Sequence, residues 1–179
     1  FPADNGFIGK MQKLVREEVL PYQYNILNDA IPGIEKSHAI ENIRLAAEKL
    51  RGKDVKPDEF YGMVFQDSDV AKWIEAAAYA LAAGEDPELE KAVDETIQLY
   101  GASQHEDGYV DSYFTVKCPD KMWTNICDAH ELYCAGHMME AAVAYYEVTG
   151  KRELLDIMSK SADCIYEQFM KKNTRAYPG

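Results

Sequence analysis

The sequence has no apolar run approaching the roughly 18 residues that a helix needs to cross a bilayer, and no basic start followed by an apolar stretch. Neither a membrane span nor a secretory signal is expected. Cations are scarce, with 19 Lys and Arg against 31 Asp and Glu and a net charge of -12. Nucleic-acid binding draws its affinity from Lys and Arg that displace counterions, and no local cluster of bases offsets the deficit, so nucleic acid is excluded as a partner. A neutral or cationic ligand fits the charge better. Cysteine is sparse, at positions 118, 127, 134 and 164, with no Cys-x-x-Cys pair. Cys127 and Cys134 lie roughly 10 Å apart by helical rise, beyond disulfide reach. Four reduced thiols are expected, and with them a reducing, cytoplasmic location. Period-two alternation is missing too, so no strand is expected.

What is present recurs at helical spacing. Val70, Trp73, Ile74, Ala77 and Leu81 form one stripe, ended by Gly84. Asp86 is placed to cap, and Pro87 to open, a second helix carrying Leu89, Val93, Ile97 and Tyr100. Met138, Ala141, Ala142, Tyr145 and Val148 define a third, stopped at Gly150, and Leu154, Met158, Ala162, Ile165 and Phe169 a fourth. Ahead of these a helix is expected over 8–29, interrupted near Pro21, and another over 38–50.

The four later helices make two hairpins related by an internal repeat. Glu75-Ala-Ala-Ala-Tyr79 matches Glu140-Ala-Ala-Val-Ala144 at an offset of 65 (140 less 75), and Gly84 matches Gly150 at 66 (150 less 84). Antiparallel pairs in tandem imply a helical toroid or solenoid, because each pair needs a neighbour to cover its apolar faces. The Ala-rich first helices suit an inner ring and the more charged second helices an outer layer. Connections within hairpins, at 84–86 and 150–152, are tight, whereas those entering the first helices, at 51–68 and 103–125, are long. If the first helices run parallel, both long loops lie at one end, and long ordered loops in a compact domain usually carry function.

The ligand candidates sit at that mouth. His130 opens the segment His130-Glu-Leu-Tyr-Cys-Ala-Gly-His137, and its neutral imidazole can both donate to and accept from a ligand hydroxyl. Gln66, Asp67 and Asp69 precede the first Ala-rich helix; one aspartate is expected to cap it, leaving the other and Gln66 free for hydroxyl contacts. Asp107-Gly108 marks a tight turn, Asp111 is undecided, and Ser37-His38 reads as a helix start. Phe65, Tyr109, Tyr113 and Trp123 either stack on a sugar or pack the loops. Cys127, His130, Cys134 and His137 share a helical face, but they spread over about 15 Å of axis, whereas zinc holds ligand atoms at about 2.0–2.3 Å. No metal is expected on this stripe. His137 follows His130 by seven residues rather than four, so the His-Glu-x-x-His protease motif also fails. No pair of carboxylates can be named as catalytic, because nothing in the repeat sets two of them about 5 Å apart.

Met63-Val-Phe-Gln-Asp-Ser-Asp-Val-Ala-Lys-Trp73, Asp107-Gly-Tyr109, and His130 to His137 followed by Glu140-Ala-Ala-Val-Ala-Tyr145 resemble glycoside hydrolase family 127, the non-reducing-end β-L-arabinofuranosidases. Leu20-Pro-Tyr-Gln-Tyr24 and Ser37-His-Ala39 resemble its amino-terminal segment. The resemblance implies an (α/α)6 barrel and hydrolysis with retention. It further implies a cysteine nucleophile near zinc, a glutamate acid/base, and a sugar contact at His130. The family's zinc cysteines and catalytic glutamates lie well downstream of the matched region, and none of the four cysteines here falls at a matching position. Residues 1–179 are therefore expected to be one partial toroid domain with about half the ring, ending at Tyr177-Pro-Gly179 where the family continues. The chain opens on Phe1 rather than Met, which leaves room for a leader ahead of it. The implied zinc belongs to the complete enzyme and not to this chain, which alone is expected to lack activity. Its expected partners are a small carbohydrate, with no nucleic acid and no membrane, and the remainder of the catalytic domain or a second copy. An epimerase or isomerase on a helical toroid, and a non-catalytic helical scaffold binding carbohydrate or protein, are the alternatives.

Overall fold

The computed structural model describes residues 6–172. Phe1 and the stretch Tyr177-Pro-Gly179 lie outside the described residues. Every regular element among the described residues is helical: α1 (Phe7–Leu14), α2 (Leu20–Leu27), α3 (Ala39–Leu50), α4 (Asp67–Ala83), α5 (Pro87–Ala102), α6 (Ser112–Lys117), α7 (Glu131–Thr149) and α8 (Glu153–Tyr166). None is long and apolar enough to cross a membrane.

The expected break near Pro21 lies one turn earlier. Val15–Val19 form a π turn that joins α1 to α2, with Leu20 N–H reaching back to the Val15 carbonyl. Pro21 has no N–H, and its ring crowds the carbonyl four residues back. A widened turn just ahead of it accommodates both, and the helix continues. The capping of α5 follows the sequence: Asp86 Oδ1 accepts from Leu89 N–H at 3.1 Å and Pro87 opens the helix. Gly150 closes α7 with φ of 73°, which an L side chain would resist.

Contacts between α4 and α7 hold a nearly constant offset, and this fixes their direction. Phe65 meets His130, Ser68 N–H meets Cys134, Lys72 meets Tyr133 and Tyr79 lies near Glu140 and Glu147. Partners advance together, so the two helices run parallel. Buried Ala71, Ala77 and Ala78 on α4 and Ala135, Ala141 and Ala142 on α7 leave little bulk between them, and this pair packs more extensively than any other. Helices α5 and α8 also run parallel to each other: Asp94 and Glu90 meet Lys151 at 2.6 Å, while Gly101 and Gln104 meet Ile157 further on. The two hairpins thus stack in register, with α4 and α7 starting at one end. This is the partial helical toroid implied by the repeat.

Helix α2 runs against α4. Arg16 lies beside Gly84, while Tyr24 stacks on Trp73 at 4.7 Å and Trp73 Nε1 donates to the Leu20 carbonyl. On α8 the apolar stripe differs from the expected one. Leu154, Met158, Ser161 and Cys164 are buried, Ala162 is exposed, and Phe169 falls in a second π turn, edge-on to Trp123 at 5.4 Å. The stripe turns through Ser161 because α8 lies backbone-close to Gly108, whose missing side chain leaves room for the Lys160 carbonyl.

The long loops are ordered by small cores of their own. Leu45, Ala46, Val55, Phe60 and Val116 cluster under one, and Tyr109, Phe114 and Cys164 under the other. Helix α6, six residues long, went unread in the sequence because it is too short to show a period.

Candidate functional site

Both long loops converge where α4 and α7 begin. The start of α3 joins them, since Gln66 Nε2 donates to the Ser37 carbonyl at 2.8 Å and Asn42 exchanges two hydrogen bonds with the Tyr61 backbone. The result is a rim of three helix starts.

His130 is the N-cap of α7, half-buried, with φ of 61°. Its Nδ1 lies 2.6 Å from the Asp128 carbonyl, which can only accept. Nδ1 therefore donates, which leaves Nε2 as the ring nitrogen turned to a ligand, an acceptor in that tautomer. Phe65 and Tyr133, both exposed, stand edge-on to the imidazole at 5.3 and 5.6 Å. The row continues along the seam to His137, 4.5 Å from Tyr133. His137 Nδ1 lies 3.2 Å from Glu140 Oε2 but off the line a hydrogen bond needs. Lys72 Nζ donates to the Tyr133 hydroxyl at 2.9 Å and to Ser68 Oγ at 3.2 Å. Asp69 is exposed on the first turn of α4; desolvation raises its pKa, and Lys72 opposes that.

Gln66 and Asp67 are placed differently from the sequence expectation. Neither aspartate caps α4. Gln66 is the N-cap without a side-chain bond, and the first N–H groups are met by upstream carbonyls in successive tight turns, Ser68 N–H to Phe65 and Asp69 N–H to Gln66. The Gln66 amide is not free: Oε1 accepts from Met63 N–H, and Nε2 donates to Ser37. Asp67 is 4% exposed and accepts from both the N–H and the hydroxyl of Ser112. Both residues hold the rim together from behind.

Asp111 caps α6, with Oδ1 accepting from Phe114 N–H at 3.0 Å. Asp107-Gly108 forms the expected turn, with Gly108 at φ of 94° and Asp107 Oδ1 accepting from Tyr109 N–H. Of the four candidate stacking rings, Phe65 alone stands open beside His130. Tyr109 is buried and donates to Glu131 Oε1 at 2.7 Å, Tyr113 packs edge-on to Phe60, and Trp123 lies between Tyr109 and Phe169.

Sequence reasoning passed over Glu131, Tyr133, Lys72 and the pairing of His38 with Asp29. Glu131 is buried at the first position of α7, and both its oxygens take the Trp123 N–H. Its signal was available, because Asp67 and Glu131 stand 64 apart (131 less 67), almost the repeat offset, each at a helix start. His38 repeats the geometry of His130: it is the N-cap of α3 with φ of 58°, and its Nδ1 lies 2.6 Å from Asp29 Oδ2.

Zinc does not fit these residues. Among the described residues no three His, Cys, Asp or Glu side chains gather as metal ligands. Burial pushes the Cys134 thiol far up and Cys164 to about 11, and it raises Cys118 as well, so these sulfurs stay protonated at neutral pH. They are not ready nucleophiles.

A family model described as the β-L-arabinofuranosidase GH127 catalytic domain matches residues 3–177. A non-reducing end β-L-arabinofuranosidase of Bifidobacterium longum subsp. longum is 42% identical, over 86% of this chain and 25% of that protein. Among solved structures, Ara127N, a GH127 β-L-arabinofuranosidase from Geobacillus stearothermophilus T6, superposes with a TM-score of 0.84 at 56% identity. A further GH127 β-arabinofuranosidase superposes at 0.76 with 31% identity. Each structural match covers 90% of this chain and 25% of the other. The chain thus spans about a quarter of the length of the relatives it matches.

Proposed function

The chain belongs to the GH127 catalytic-domain family, and from that premise we propose that it forms the substrate-binding front of a retaining glycoside hydrolase acting on β-L-arabinofuranosides or related sugars. One observation carries the reading. At the shared head of two parallel helices stands a half-exposed imidazole whose Nδ1 is spent on Asp128, leaving Nε2 to accept from a sugar hydroxyl. Phe65 and Tyr133 offer apolar ring surface to the C–H face of the same sugar, and the Asp69 carboxylate accepts from a second hydroxyl. Gln66 and Asp67 keep those contacts in place through Ser37 and Ser112.

Residues 1–179 are read as one partial toroid domain in a reducing, cytoplasmic setting, which four free thiols suit. The partners we assign are a small carbohydrate and, on the exposed apolar side of α7 formed by Leu132, Val143 and Tyr146, the rest of such a catalytic domain or a second copy.

Calorimetric titration of the chain with L-arabinose tests this. Saturable binding is expected, weakened at least about tenfold by His130→Ala, which equals about 1.4 kcal/mol for the lost hydrogen bond and ring contact. An affinity unchanged in His130→Ala would remove the reading, and Asp69→Asn should weaken binding by a smaller factor.

A further inference from the structure

Asp67, Asp111 and Glu131 are each 4% exposed or less, and all three carboxyl groups hold the 103–125 loop. Asp67 accepts from Ser112, Asp111 from Phe114, and Glu131 from Tyr109 and Trp123. Asp111 adjoins Ser112, and its buried carboxyl interacts electrostatically with that of Asp67. The titratable and charged groups facing them are Tyr100 from α5, Tyr109 and Cys118 from the loop, Tyr113 from α6, Cys134 and Glu131 from α7, and Asp69 from α4. Lys72 acts on Cys134 and Asp69. Among the described residues no Lys or Arg is hydrogen-bonded to any of the three carboxyls.

One atom breaks the pattern. Asp111 Oδ2 is buried and has no hydrogen-bond partner. As a carboxylate oxygen it would hold negative charge away from water and next to a second carboxylate, which is doubly unfavourable. A proton there removes the charge. Asp67 needs none, since both its oxygens already accept from Ser112.

We propose that Asp111 holds a proton beside a charged Asp67, and that this pair, with Glu131, is the clamp seating the 103–125 loop on the heads of α4 and α7, thereby positioning His130. The functional consequence rests on the reading of His130 as a sugar contact; the clamp itself does not. Burial, then Asp67, pushes Asp111 well above the carboxylate range although the Phe114 and Tyr113 N–H groups oppose it. Burial raises Asp67 and Glu131 as well, and there the bonds from Ser112 and from Trp123 and Tyr109 favour the charged form. Acids raised in the folded state bind more protons folded than unfolded. Their stabilising contribution is therefore full below the unfolded carboxyl range and is lost as pH rises through the raised values.

Thermal unfolding of the chain from about pH 5 to about pH 9 tests the clamp. The wild-type midpoint should fall as pH rises. Asp111→Asn, which keeps the cap oxygen and replaces the protonated oxygen with an amide, should stay within about 2 °C of wild type at the acid end and show a flatter profile. Asp111→Ala, lacking the cap, should lie about 2–4 °C lower throughout. A wild-type midpoint indifferent to pH, or an Asparagine variant as unstable as the alanine one at every pH, overturns the proposal. Should the asparagine variant fail to fold, the infrared spectrum of the wild-type chain at neutral pH decides: a carboxylic-acid C=O stretch supports the clamp and its absence overturns it. For positioning, the His130 ring resonances should follow a titration on the alkaline side that Asp111→Asn abolishes; indifference of the ring contradicts the positioning role. A working clamp in a chain that binds no L-arabinose would count against the functional reading alone.

Discussion

Left-handed backbone at His130 and His38, with φ of 61° and 58°, costs a residue bearing a Cβ about 1–2 kcal/mol. Each imidazole meets part of that cost by bonding locally, to the Asp128 carbonyl and to Asp29. His130→Gly should therefore leave folding stability within about 1 kcal/mol of wild type while weakening sugar binding at least about tenfold, a separation readable by urea denaturation beside calorimetry. Asn42 is of the opposite kind. It is fully buried, and its amide both donates to and accepts from the Tyr61 backbone, so Asn42→Ala removes two part-buried hydrogen bonds and should cost about 1–3 kcal/mol in urea denaturation. His130 was legible in the sequence because an imidazole just ahead of an Ala-rich helix has few other positions to take. The duties of Gln66 and Asp67 were not, since Ser37 and Ser112 lie 29 and 45 residues away with no pattern joining them.

Among the elements, caps and turns carry local instructions and tertiary contacts override some of them. Asp86→Ala removes the one side-chain cap of α5 and should cost about 1 kcal/mol, seen as a lower urea midpoint with unchanged slope. Gly108 answers both to its turn, at φ of 94°, and to α8, whose Lys160 carbonyl an added methyl would strike. Gly108→Ala should destabilise by more than about 2 kcal/mol and expose the 103–125 loop to limited proteolysis. The start of α4 was misread for a physical reason: its N–H groups are served by preceding carbonyls, leaving the aspartates free to turn elsewhere. The π turn ahead of Pro21 followed from proline chemistry, but its position depends on how α2 seats against Trp73.

At the scale of the molecule, the repeat of 65 to 66 residues was enough to set α4 and α7 parallel, because identical hairpins stack most simply by translation and rotation of one unit. The reverse sense of α2 against α4 lay outside that repeat. The stack ends on apolar surface: Leu132, Val143 and Tyr146 are exposed on α7, as are Phe7, Ile8, Met11 and Leu14 on α1. With a net charge of -12 opposing self-contact, association through these faces should strengthen with added salt. Sedimentation velocity should show larger species at high salt, and Val143→Lys should suppress them. Association that weakens with salt would point to charged surfaces instead.

The central claim is that parallel α4 and α7 open at one rim where His130 Nε2 meets a sugar. Nitrogen-detected NMR of the histidine rings during titration with L-arabinose tests it most directly. A saturable shift of His130 Nε2, accompanied by Phe65 and Tyr133 and absent from His105, whose Nε2 lies 2.9 Å from Thr115 Oγ1 within the 103–125 loop, is the predicted result. Saturation with no change at His130, or with changes confined to residues remote from that rim, would contradict the account.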